Sequence, residues 1–289
     1  MEWVNIIVQG VLLGGLYALF AAGLSVMFGV MRIVNIAHGD FIVLAAYLAL
    51  IVTRTLGWHP LESILIVAPV MFVVGYLLQR GLLNLTVGDD ILPPLLVTFG
   101  LSVIIQNVLL EVFSADTVRL QAGWIETASL NIGDKFAVGW LPLLNFVTAI
   151  CIVAGLELLL YRTKLGRAFR ATSDDGETAR LFGVNQMRVF AVATGIALFV
   201  ASIAGVLLAI RTTFDPTTGP TRLLTAFEVV IIGGLGSLWG ALVGGVILGV
   251  AQAVAGAINP GWESMAGHIV FLLVLVIQPR GLFPRIVEG

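Results

Sequence analysis

Apolar residues run along this chain in long blocks bounded by short polar stretches. They neither alternate with a period of two nor keep to one helical face. A membrane-spanning helix needs roughly 20 consecutive, mostly apolar residues. Blocks of that kind cover 4–29, 38–57, 61–80, 92–114, 141–161, 189–210 and 264–278. The stretch 223–257 is too long for one crossing. Its "GGLGS" at 233–237, followed by Trp239, divides it into a short piece, 223–235, and a full one, 238–257. The short piece makes about 20 Å of helix against a hydrocarbon layer of about 30 Å. It must tilt, thin the bilayer or shelter inside the protein.

Basic residues orient these blocks. The segment 162–188 carries Arg162, Lys164, Arg167, Arg170, Arg180 and Arg188, six of the 15 Lys and Arg residues, and is expected to be cytoplasmic. Arg280 and Arg285 place the C-terminus on the same side. An even number of crossings must then separate the two, which requires a break at "GGLGS", facing the cytoplasm. Five spans precede the central loop, so the N-terminus is expected outside, Arg32 and Arg80 inside, and 115–140 outside as a small hairpin or surface helix. The expectation is an all-α, polytopic membrane protein of nine crossings, one of them short. It forms one domain over 1–289, with a cytoplasmic loop at 163–187.

Composition agrees. The chain has 289 residues, 59% hydrophobic and 11% charged, with mean hydropathy +1.05, where soluble domains carry about 25% charge. No basic stripe points to nucleic acid. The one cysteine, Cys151, sits in an apolar run and excludes a disulfide framework. The N-terminus lacks a basic n-region and reads as a retained helix rather than a cleaved signal.

Ionisable and amide groups inside spans are costly and so carry information. "NIAHGD" places Asn35, His38 and Asp40 between the first two spans, with Gly39 permitting a bend or a close backbone approach. The His and Asp read as a hydrogen-bonded pair, a helix cap, path lining or an ion site. Gln106 and Asn107 are adjacent in the fourth span, so they point about 100° apart and cannot share one groove equally. They read as interhelical glue or as path residues. Glu228 lies midway along the short piece, where it lines a cavity, pairs with an arginine such as Arg222, or both. Glu111 and Glu157 sit near span ends, where snorkelling suffices. His59 and His268 make no metal-ligand spacing with His38, and no metal site is expected. Gly236, Gly240 and Gly244, and Gly245 with Gly249, recur at four-residue spacing and permit close helix packing; Gly233, Gly234 and Gly236 are the expected hinge.

The central loop has its own signals. Asp174 followed by Glu177 three residues on has the form of a capping box, predicting a helix over about 175–182 that ends at Gly183. Thr178, Leu181 and Phe182 fall on one face. A helix this short must dock to persist. Two adjacent aspartates disfavour anionic lipid, so docking on a partner protein is the favoured reading over lying on the bilayer.

Four segments in order, "GVMRIVNIAHGDFIVLAAY" (29–47), "YRTKLGRAFRATSDDGETARLFGVN" (161–185), "AFEVVIIGGLGSLWGALVGGVILG" (226–249) and "VLVIQPRGLF" (274–283), resemble the membrane permeases of ATP-binding-cassette importers for branched-chain amino acids, and within them the first of the two paired permeases. The resemblance covers almost the whole chain. It implies the permease fold of those importers, residence in a bacterial inner membrane, a second homologous permease, two cytoplasmic ATP-binding subunits and a periplasmic substrate-binding protein. It also implies that Asp174, Gly176, Glu177, Ala179, Leu181 and Gly183 belong to a coupling helix seated on an ATPase. Gly176 departs from the pattern, which often has a residue such as proline there. No G-x-x-x-x-G-K-[ST] occurs, so ATP and Mg are expected on partner chains and no catalysis on this one. The same resemblance extends to importers of urea, amides and small aromatic or organic acids. An ion-coupled transporter using Asp40 and Glu228, and a channel or receptor for a small polar solute, are the rival classes; both leave the capped loop helix unexplained.

Overall fold

The structure, a computed structural model, describes residues 2–88, 90, 92–131 and 137–283. Arg285, used above for orientation, and residues 132–136 of the loop 115–140 lie outside the described residues. Twelve α-helices follow one another among them: α1 (Glu2–Met31), α2 (His38–Leu56), α3 (Ile64–Gly81), α4 (Leu92–Phe113), α5 (Trp124–Thr127), α6 (Trp140–Arg162), α7 (Lys164–Asp174), α8 (Gly176–Leu181), α9 (Gln186–Arg211), α10 (Gly219–Gly233), α11 (Leu238–Ile258) and α12 (Glu263–Ile277). Strands β1 (Ser129–Asn131) and β2 (Ala137–Gly139) pair antiparallel beside α5. Among the described residues, eight helices are long and apolar enough to cross a membrane. The short piece is α10, and "GGLGS" separates it from α11 as the glycine pattern required. The protein is a polytopic all-α membrane protein.

Helices α1 and α9 form the core and are buried over most of their length. They run antiparallel, with the Thr194 hydroxyl beside the Met31 sulfur and Gly23 against the Ala197 carbonyl. α11 packs on α1 and α3 packs on α9. The small-residue spacing explains the first of these contacts: Gly10 and Gly14 of α1 lie against Gly249 and Gly245 of α11, close enough that any side chain would meet backbone. The triplets α1–α2–α3 and α9–α10–α11 therefore pack reciprocally, as inverted repeats do in many transporters.

Two helices begin inside the bundle rather than at its ends. After α1 ends, residues 32–37 turn back, and His38, the first residue of α2, bonds through Nε2 to the Phe20 carbonyl at 3.0 Å. Phe20 lies about three turns before the end of α1. After α9 ends, residues 212–218 likewise re-enter before α10 starts at Gly219. The two helix starts meet there. A Cβ on Gly39 would lie 2.0 Å from the Gly219 carbonyl oxygen, and one on Gly219 would lie 2.0 Å from an Asp40 carboxylate oxygen. On either side of this crossing, α4 packs on α2 and α12 on α10. α4, α12, α3 and α6 present long apolar faces outward.

At the end of the bundle away from α7 and α8, the connecting loops lock together. Val118 and Phe214 exchange backbone hydrogen bonds, Leu120 N–H donates to Ala209, and Arg119 pairs with Glu126 at 2.5 Å while also donating to the Ile210 carbonyl.

Candidate functional site

The charged loop is a helical hairpin. Thr163 caps α7, its hydroxyl accepting the Gly166 N–H at 3.0 Å. Leu165, Phe169 and Thr172 turn toward the protein; Phe169 is fully buried. This part of the expected loop is helix, and the stripe at 165, 169 and 172 is its signal in the sequence. Arg170 lies over the Tyr161 ring and donates to the Leu160 carbonyl, so α7 is fastened to the end of α6.

The cap of α8 is Asp175, not the expected Asp174. Helix α7 continues through Asp174, and the first residue with extended backbone is Asp175. Its carboxylate accepts the Glu177 N–H at 3.1 Å, the Thr178 N–H at 3.0 Å and the Thr178 hydroxyl at 2.5 Å. The Thr178 hydroxyl and amide, with the Glu177 amide, hold the Asp175 carboxyl below the usual aspartate range. The Asp174–Glu177 capping box does not form. Gly183 has φ +82, and Val184 N–H and Gly183 N–H bond back to Ala179 and Arg180 carbonyls, the expected left-handed stop. Ala179 is buried against the protein and is no part of the outer face. Thr178 is exposed, with its hydroxyl engaged by Asp175. Gly176 faces the Gln186 side chain. Leu181 and Phe182 stand out, 86% and 83% exposed.

This hairpin is tied to the bundle. Ser173 hydroxyl donates to the Gly29 carbonyl at 2.8 Å, and Arg32 donates to the Ser173 carbonyl at 3.2 Å. Both contacts lie at the end of α1, where the chain turns back toward α2. On its other side α8 runs through the Asn185 cap straight into α9. Near the start of α9 a buried polar chain joins Thr194 to Gln79 (2.7 Å), Gln79 to Asn84 (3.0 Å) and Asn84 to the Met187 carbonyl (3.2 Å).

The intramembrane groups resolve into turns and pairs. Asn35 shapes the turn before α2, its side chain accepting the Ala37 N–H and its carbonyl the His38 N–H. His38 and Asp40 do not pair: His38 bonds to α1, and Asp40 accepts from Gln106 of α4 at 3.0 Å. Gln106 also donates to Ser102, while the adjacent Asn107 faces outward and bonds its own helix at Val103. Glu228 does not pair with Arg222. It is 2% exposed and meets His268 of α12, whose side chain is half exposed. Forty residues separate the two, and no local pattern signals the contact. Each helix that begins inside the bundle thus carries a carboxylate bonded to its flanking helix: α2 to α4 and α10 to α12.

The hinge glycines sit where α10 stops. Gly233 packs on Gly240, and Gly234 and Gly236 have φ +107 and +79, values open to glycine. The end of α10 gains unexpected cover. Leu282 and Phe283 donate their N–H groups to the Ile232 and Gly233 carbonyls at 3.0 and 2.9 Å, filling acceptors that a helix end leaves open. This gives "QPRGLF" a structural role. Beside it, a groove of about 770 Å³ is lined by Glu157, Tyr161, Arg170, Asp174, Trp239 and Phe283. Among the described residues, no group of three or more His, Cys, Asp and Glu side chains is arranged to hold a metal ion.

Comparison with known proteins places this geometry in context. The family model described as "Branched-chain amino acid transport system / permease component" matches residues 6–277. The high-affinity branched-chain amino acid transport system permease protein BraD of Pseudomonas aeruginosa is 28% identical, over 96% of this chain and 95% of its own. LivH of Escherichia coli K12, with the same description, is 29% identical over 96% and 94%. LivM of Salmonella typhimurium is 25% identical over 93% and 68%. No solved structure matches.

Proposed function

The chain belongs to the family of branched-chain amino acid transport system permease components, and on that premise we propose that it is the membrane half of an ATP-driven importer that carries amino acids, branched-chain ones first among them, across a bacterial inner membrane. Its N-terminus faces the periplasm and its α7–α8 hairpin and C-terminus face the cytoplasm. Its relatives include both LivH and LivM, two permeases of one description, which supports pairing with a second, homologous permease. Two ATP-binding subunits supply ATP and Mg chemistry, a periplasmic binding protein delivers substrate, and this chain hydrolyses nothing itself.

One observation carries the coupling role: a capped helix at the basic end of the bundle shows two large apolar side chains, Leu181 and Phe182, almost wholly to solvent. Such a pair suits a groove on a partner. Asp174, Gly176, Glu177, Thr178, Leu181, Phe182 and Gly183 shape that element, with Ala179 fixing it to the body. A push on α8 passes through Ser173 to the end of α1, and from there through residues 32–37 to the crossing of α2 and α10. It also passes directly into α9. The path runs along that crossing. Asp40 with Gln106 and Glu228 with His268 hold its two flanks, Asn35 and His38 fix the turn, and Asn107 faces outward beside it. Gly233, Gly234 and Gly236 let α10 move against α11.

The test is co-expression with the paired permease, the ATPases and the binding protein, then uptake of labelled leucine, urea, an amide and an aromatic acid by the purified, reconstituted complex. Assembly and leucine uptake support the reading. A complex that assembles and imports urea but no amino acid contradicts the substrate, and failure to assemble contradicts the class.

A further inference from the structure

Past the end of α12 the chain folds back onto α10. Gln278 N–H still bonds to the Val274 carbonyl at 2.7 Å, and Gly281 N–H closes a turn on the Gln278 carbonyl at 2.8 Å. Gly281 has φ +76, a value open to glycine, and it is buried. A Cβ on it would lie 2.4 Å from the Gly234 Cα and 2.7 Å from the Ile231 carbonyl oxygen. Leu282 and Phe283 then donate to the Ile232 and Gly233 carbonyls. Backbone contacts thus tie residues 278–283 to the end of α10, while the Leu282 and Phe283 side chains stay exposed. Nearer its middle, α10 meets α12 again through Glu228 and His268. α12 and its extension therefore hold α10 at two points.

This tied end borders the groove of about 770 Å³, which has two walls. Tyr161, Arg170 and Asp174 of α6 and α7 belong to one; Trp239, Leu282 and Phe283 belong to the other. Tyr161, Trp239, Leu282 and Phe283 are all exposed, so bringing the walls together removes apolar surface from solvent. A second, small cavity shares Leu160, Gly236 and Leu238 with the groove and reaches Phe169 of α7 and Ser25 of α1. The Ser25 hydroxyl is shielded and has no hydrogen-bond partner among the described residues. Protein interiors are close-packed, so two adjoining voids mark a joint with room to move. Gly236, at φ +79, borders both.

We propose that residues 278–283 are a strap poised to close on α7, and that this closure carries the movement of the α7–α8 hairpin to the end of α10. Asp174, on the groove wall, is the last residue of α7, and α8 beyond it shows Leu181 and Phe182 to a partner. A displacement of α7 toward the strap presses on the Ile232 and Gly233 carbonyls through Leu282 and Phe283. α10 has 15 residues and passes the push along about 22 Å of helix to Gly219, where it crosses α2. Gly234 and Gly236 absorb the shift between α10 and α11. This route is separate from the one through Ser173 and the end of α1. It rests on the importer reading and names the segment that answers the ATPases.

The experiment uses the complete importer in proteoliposomes, with its binding protein and leucine as probe. In a Cys151→Ala background, Asp174→Cys and Phe283→Cys together put one thiol on each wall. A short bis-methanethiosulfonate reagent is applied without nucleotide and with ATP and orthovanadate, and the joined peptide is measured by mass spectrometry. The expected result is a yield that rises severalfold in the trapped state, with transport lost on cross-linking and restored by reductant. Equal yield in both states, in an importer that moves leucine, overturns the strap, as does full transport by the cross-linked protein. Leu282→Pro removes the donated N–H and should lower leucine moved per ATP by about two- to tenfold, the factor set by one backbone hydrogen bond. Leu282→Ala keeps the N–H and should lose less; equal ratios in the two variants leave only a packing role and overturn the strap. Where the proline variant fails to assemble, the cross-link decides. A wild-type complex whose ATPase answers loaded binding protein but moves no amino acid overturns the importer reading instead.

Discussion

Replacing Leu181 and Phe182 together by alanine should uncouple the permease from its ATPases without disturbing its fold. Both side chains are more than four-fifths exposed, so the permease alone loses almost no burial. A partner groove that covers them gains about 1.5–3 kcal/mol per side chain. Ordering each side chain offsets about 0.5–1.5 kcal/mol of that. The net is about 1–1.5 kcal/mol each, or about 2–3 kcal/mol for the pair, which corresponds to a roughly 30- to 150-fold weaker affinity. The assay titrates ATPase subunits onto the permease pair in nanodiscs and follows ATPase stimulation by loaded binding protein. The thermal midpoint of the variant permease should match wild type. Unchanged affinity and stimulation would refute the docking role; a lowered midpoint would refute the claim that these side chains contribute nothing to the isolated fold.

Other contacts make separate predictions. Gly39→Ala places a methyl 2.0 Å from the Gly219 carbonyl and should destabilise the bundle by about 1–3 kcal/mol, read as a lower denaturation midpoint; tolerance without shift would contradict the mid-bundle crossing. Gln106→Leu removes the Asp40 partner and should cost about 1–3 kcal/mol, whereas Asn107→Leu, on the outward face, should cost far less in the same assay. Asp175 has a lowered carboxyl pKa in the folded protein. Its cap is therefore fully present above the ordinary aspartate value of about 3.9 and is lost as pH falls through the lower folded value. Amide protection at Thr178 should drop in that acid range in wild type and stay level in Asp175→Asn, which keeps an acceptor; parallel profiles would contradict the cap.

Much of the architecture was legible because membranes impose simple rules. Block length gave the spans, and basic residues with parity gave the break at "GGLGS". Short elements and distant pairs are not legible in the same way. The basic stretch 164–174 looked like loop because its charge outweighed the stripe of Leu165, Phe169 and Thr172. That error moved the α8 cap by one residue, since two aspartates stand together and only the end of α7 decides between them. Proximity in sequence offers Arg222 as one partner for Glu228, beside cavity lining, but helix packing supplies His268 from α12. The closure of α10 by Leu282 and Phe283 joins segments with no local signal between them. The meeting of Gly39 with Gly219 follows from two re-entrant turns, and hydropathy does not reveal where in a membrane a helix begins.

Energy should reach this permease from ATP through its partners and not from an ion gradient at Asp40 or Glu228. The direct measurement is leucine uptake by proteoliposomes holding the complete importer and its binding protein, with and without internal ATP and with and without an ionophore. Uptake that requires ATP and survives the ionophore is the predicted result; uptake that proceeds without ATP and collapses with the ionophore would contradict the account.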